Sequence, residues 1–120
     1  MKPQLDSMDI LIANRIQDGL TRRKGKRWAI TSKKMVQVLK AEGFKGVTDV
    51  KIREIVHYLR TEREVFICAD EKGYYMAETG EEKKHQITSM ASRIREMQDV
   101  KDALVRIINK ETEQSQLFIN

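Results

Sequence analysis

Apolar residues along the chain repeat at helical spacing, then at strand spacing, then at helical spacing again. Met8, Leu11, Ile12 and Ile16 share one face of a helix that Asp6 or Ser7 can cap, with Asp9 near its positive end and Asp18-Gly19 as a stop. A polar loop follows, and Trp28-Ala29-Ile30 reads as a strand stub. Met35, Val36, Val38 and Leu39 predict a second helix, capped by Ser32 and closed by Gly43. Phe44-Lys45-Gly46-Val47 is then a turn. Thr48 or Asp49 opens a third helix, with Ile52, Ile55, Val56 and Leu59 as its buried stripe.

Strand-like runs at residues 65–69 and 74–77 flank Asp70-Glu71-Lys72-Gly73, whose glycine suits the positive φ of a hairpin turn. Thr79-Gly80-Glu81-Glu82 is a capping-box sequence, in which the Thr hydroxyl and a Glu carboxylate each serve a free amide. From residue 81 to about 110 the pattern is one helix, roughly 45 Å long at 1.5 Å per residue. Ile87, Met90, Ile94, Met97, Leu104 and Ile108 follow a seven-residue repeat, broken at Lys101 with Val100 beside it. A domain this small covers only part of such a stripe. Two outcomes stand: pairing with a second copy as a homodimer, or a kink that folds the helix back on the first one.

The order α-β-α-α-β-β with a long helix after it predicts an α+β, mainly helical chain containing a winged helix-turn-helix. Three parts are expected: a winged-helix domain at 1–79, a packing or dimerisation helix at 80–110, and a flexible tail at 111–120.

Composition narrows the partners. Twenty-three Lys and Arg against eighteen Asp and Glu leave +5 and a pI near 9.4, a mild bias towards polyanions. No apolar run is long enough to span a bilayer, and no charged-then-apolar leader opens the chain, so no membrane association is expected. Cys68 is the only cysteine, which points to a reducing cytoplasm and to a small core filler within Val65-Phe66-Ile67-Cys68-Ala69.

If the module reads double-stranded DNA, its third helix enters the major groove. The outward face of that helix carries Val50, Arg53, Glu54, His57 and Tyr58. Arg53 suits the acceptor edge of guanine, His57 a base or phosphate, and Val50 a thymine methyl, while Lys51 and Arg53 offset Glu54. Lys33 and Lys34 sit in the first turn of the second helix, where the dipole disfavours cations unless an external anion arrives. Arg22, Arg23, Lys24, Lys26 and Arg27 place five cations in six positions, a pattern for phosphate contact or simply for a solvated loop.

Ile52-Arg53-Glu54-Ile55-Val56 with Leu59-Arg60, Phe66-Ile67-Cys68-Ala69-Asp70, Gly73-Tyr74-Tyr75-Met76-Ala77 with Glu81 or Glu82, and Ser92-Arg93-Ile94 together resemble small winged-helix proteins of bacteriophage and prophage genomes. The resemblance covers nearly half the chain. It implies a winged helix in a phage-associated setting and supplies no defined activity. At the carboxyl end, Gln114-Ser115-Gln116-Leu117-Phe118 resembles the peptide by which bacterial replication and repair proteins dock on the DNA polymerase sliding clamp. Gln114, Leu117 and Phe118 match that pattern, while Ser115 and Gln116 depart from it.

His57 and His85 lie on different predicted helices without a partnering Cys or carboxylate at metal-ligand spacing. No Gly-rich phosphate loop or nucleophile elbow is present. The expectation is therefore a non-enzymatic DNA-binding protein, free of cofactor and metal, with a transcriptional or replicative role. The rival reading is a protein–protein adaptor or inhibitor docking on the sliding clamp through the tail.

Overall fold

Four side-chain caps decide where the helices of this chain begin, each worth about 1 kcal/mol. The computed structural model describes the backbone of residues 4–119 and the side chains of residues 4–114. Asp6 caps α1 (Ser7–Thr21) in a reciprocal box: its carboxylate accepts from the Asp9 amide while Asp9 accepts from the Asp6 amide. Thr31 caps α2 (Ser32–Ala41), accepting from the Lys34 amide, and Thr48 caps α3 (Asp49–Glu62), accepting from Lys51. Thr79 opens α4 (Gly80–Ile119) through the expected capping box with Glu82. The cap of α2 is thus Thr31, not Ser32, whose hydroxyl instead donates to Asp49 Oδ1 at 2.8 Å.

The chain is mainly helical, with one two-stranded antiparallel sheet and α4 after it. It divides into two compact units, Met1–Lys84 and His85–Asn120. In the first, Ile12, Ala13, Ile16 and Leu20 of α1 pack with Met35 and Leu39 of α2 and with Ile52, Ile55, Val56 and Leu59 of α3. The α3 stripe and Met35 and Leu39 of α2 are those that the helical spacing marks, but in α1 only Ile12 and Ile16 of the expected four are buried: Met8 and Leu11 are exposed, because α1 turns the face carrying Ala13 and Leu20 to the core. Burying each large side chain stabilises the fold by about 1.5–3 kcal/mol. Leu20 is buried, and it carries α1 two residues past the expected stop at Gly19.

Strand β1 (Ile67–Asp70) pairs with β2 (Gly73–Met76), with Ile67 opposite Met76 and Asp70 opposite Gly73. The pairing starts two residues later than expected because the chain leaves α3 through a left-handed turn that spends the Val65 amide on the helix end. Glu64 turns left-handed at φ 54°, and the Val65 amide donates back to Leu59 O at 3.0 Å. The expected strand stub at Trp28-Ala29-Ile30 is also corrected. Lys26–Trp28 forms a 3-10 turn, and of the expected stub only Ile30 bridges β2, exchanging hydrogen bonds with Tyr74 at 2.8 and 2.9 Å. Gly25 at φ 96° redirects the chain, and its amide donates to Met76 O while the Met76 amide donates to Arg23 O. Residues 23–30 thereby cover the outer edge of β2, in short contacts rather than as a continuous strand.

Cys68 is fully buried, as expected of a core filler, opposite Tyr75. Burial pushes the thiol up, and burial pushes the Tyr75 phenol up to about 12. The fourth helix does not stop near residue 110. It contains no Gly or Pro after Gly80, and Thr112 Oγ1 still donates to Ile108 O. Among the described residues no helix is long and apolar enough to cross a membrane.

Candidate nucleic-acid interface

The chain's whole charge excess lies in its first unit. Residues 1–84 hold eighteen Lys and Arg against thirteen Asp and Glu, a balance of +5, while residues 85–120 hold five against five. Between Arg22 and Arg53 the ratio is eleven bases to two acids, Glu42 and Asp49. A folded surface, however, presents only those cations that the fold itself leaves unneutralised.

The loop before α2 is largely committed to internal partners. Lys26 Nζ lies 3.4 Å from both Asp70 and Glu71 at the hairpin tip, and the hydrogen bond to Asp70 raises its pKa first and foremost. Arg23 donates to Trp28 O at 3.0 Å. Arg27 stands 3.9 Å from Glu78 and 5.9 Å from the Trp28 ring centre, and Arg22 is 3.5 Å from Asp18. Lys24 is the one exposed loop cation for which the described residues show no side-chain partner. The loop amides are held as well: Glu82 accepts from Lys26 N with one carboxylate oxygen and from Glu78 N and Thr79 N with the other. Those backbone bonds, the one from Glu78 foremost, hold the Glu82 carboxyl below the usual carboxylate range.

Two helix ends give a different picture. The Ser32–Asp49 hydrogen bond sets the amino end of α2 against that of α3. Lys33 and Lys34 are exposed in the first turn of α2 and have no ion pair among the described residues. On α3, Val50, Arg53 and His57 are exposed on the side away from Ile52, Ile55, Val56 and Leu59, and Arg53 likewise has no described partner. Exposed Val50 is an apolar side chain without core contacts beside these cations.

Lys51 departs from the expected set. Its ammonium lies 3.2 Å from Asp9 Oδ1 and 3.4 Å from Glu54 Oε2, and the hydrogen bond to Asp9 chiefly raises its pKa. Lys51 points back to α1, so it neutralises a buried carboxylate and Glu54 together. Tyr58 is half-buried, with Arg63 5.1 Å from its ring centre, and is not part of an open face.

The sequence reading missed Ser32 as the tie between the helices, because a hydrogen bond across seventeen residues leaves no periodic signal. Among the described residues there is no group of three or more His, Cys, Asp or Glu side chains able to hold a metal. A shallow apolar pocket of about 110 Å³ lies between α1 and α2, lined by Ile16, Leu20, Ile30, Met35 and Leu39 among others. Ligand pockets are typically about 300 Å³ or larger. Gln114 is exposed, whereas the side chains of Leu117 and Phe118 lie outside the described residues.

Compared with protein-family models, with curated proteins and with solved structures, the chain finds no match.

Proposed function

We propose that the first unit is a winged helix-turn-helix that binds duplex DNA, in a transcriptional or replicative role. The observation that carries the proposal is the abutment of two helix amino ends through Ser32 and Asp49, with Lys33, Lys34 and Arg53 exposed there and unpaired among the described residues. Helix α3, outward at Val50, Arg53 and His57, takes the position of a recognition helix, and the hairpin β1–β2 that of the wing. Lys33 and Lys34 then meet phosphates, aided by the free amides of the first turn of α2. Arg53 has the donor fork that matches the O6 and N7 acceptors of guanine. The concentration of the net charge in residues 1–84 supports the same assignment.

Fluorescence anisotropy with selected and random duplexes tests it across a salt series. Lys33→Ala with Lys34→Ala is expected to weaken binding to all sequences alike and to flatten the log–log salt slope by about 2. Arg53→Ala is expected to cost about 1–3 kcal/mol on the preferred site and less on random DNA. Absence of any duplex binding at low salt overturns the proposal.

A further inference from the structure

The second unit carries an apolar face that its own residues leave open. Ile87, Ile94, Met97, Val100, Leu104, Val105, Ile107 and Ile108 are all about half exposed or more, with Ile94 at 68% and Met97 at 74%. With Ile87 in the first core position of a seven-residue repeat, Met90, Ile94, Met97, Leu104 and Ile108 fall in the same seam, and Lys101 takes one core position. Val100, Val105 and Ile107 flank it and broaden the face beyond a narrow coiled-coil stripe. At roughly 60–120 Å² for each fully exposed side chain, the open area is on the order of 500 Å² per helix. A patch of that size is at the upper end of what a monomer exposes, and such patches often mark interaction sites. Two such faces together bury about 1,000 Å², which reaches the size of a specific interface.

We infer that this face pairs with the same face of a second copy, and that the two helices run antiparallel. Lys101 decides the direction. In a parallel pair every core residue meets its own counterpart, so two lysines would oppose each other in one apolar layer. In an antiparallel pair centred near Asp99, Lys101 lies opposite the partner's Met97, Ile94 opposite the partner's Leu104, and Met90 opposite the partner's Ile108. The lysine stem then covers apolar surface while its ammonium reaches water. Charge agrees with this direction. Residues 85–97 hold two bases and one acid, and residues 98–114 hold three bases and four acids, so a slightly basic half faces a slightly acidic one. The neutral sum of the unit argues against an anionic lipid surface as the occupant, because interfacial helices carry a Lys/Arg-rich polar face.

Sedimentation equilibrium of the full chain tests the pairing. A dimer whose fraction rises with concentration is expected, and Ile94→Glu with Leu104→Glu is expected to raise its dissociation constant by roughly 100-fold or more. A monomer up to millimolar concentration overturns the inference, as does a monomer that floats with anionic vesicles. Mild oxidation of cysteine variants tests the direction, with the wild-type chain, whose Cys68 is buried, as control. A mixture of Ile94→Cys and Leu104→Cys chains is expected to form a disulfide-linked dimer, and neither variant alone. A disulfide dimer of either variant by itself, or none in the mixture, overturns the antiparallel register.

Discussion

Lys51 Nζ lies 3.2 Å from Asp9 Oδ1, joining the outward turn of α3 to the capping box of α1. Asp9 is 6% exposed, so its carboxylate needs both the Asp6 amide and the lysine to offset its lost hydration. Lys51→Met leaves that charge half-satisfied and is expected to lower the unfolding free energy by about 1–3 kcal/mol, read by urea denaturation. Duplex affinity of the folded variant and its salt slope are expected to stay at wild-type values. A slope reduced by about 1 would return Lys51 to the DNA face.

Two pairs of cations that look alike on paper should behave differently. Lys26→Ala with Arg27→Ala removes cations already facing Asp70, Glu71 and Glu78, and should change the salt slope by less than Lys33→Ala with Lys34→Ala does. Anisotropy titrations of the two double variants on one duplex make the comparison. Equal losses would show that the loop cations leave their acids when DNA arrives.

Gly73 has φ 120°, and a Cβ there would collide with the backbone carbonyl of Ile30. Gly73→Ala therefore breaks the tie between residues 23–30 and the hairpin. The expected loss exceeds about 2 kcal/mol in thermal or urea unfolding. A wild-type melting temperature would mean that Ile30 can retreat at little cost.

Glu64 occupies a left-handed position in which a side chain costs about 1–2 kcal/mol. Glu64→Gly relieves that strain and gives back part of the gain through the freer unfolded chain. A net gain of about 0.5–1 kcal/mol is expected by urea denaturation.

Tyr75 sets the alkaline limit. Its folded pKa is raised to about 12, so the folded state holds the phenolic proton more tightly than the unfolded chain does. The stabilisation is complete below about pH 10 and falls as pH rises towards 12, by at most about 1.4 kcal/mol per pH unit. Tyr75→Phe should flatten the stability profile between pH 10 and 12 in denaturant titrations. An unchanged profile would assign the alkaline loss to other groups.

The helices of the first unit were legible because their signals are local. Asp6, Thr48 and Thr79 cap within three residues of the amides they serve, and the stripe from Ile52 to Leu59 repeats within two turns. The strand stub at Trp28 was misread because Gly25 at φ 96° turns the chain before pairing can extend. The candidate site was half legible. Lys33, Lys34, Val50, Arg53 and His57 stand open as expected, whereas Lys26, Arg27 and Lys51 are turned to acids that lie 42 to 51 residues away in sequence, with Glu54 as a further, local partner of Lys51.

By itself, then, the order of residues determined where helices start, which faces are apolar and how many positive charges the first unit holds. Those are properties of neighbours within a few residues, where backbone geometry and capping act. Only the tertiary structure decided which cations remain available to a polyanion. Neutralisation depends on which acid the folded chain brings within about 4 Å, and Asp9 meets Lys51 only after α1 and α3 have buried their common core.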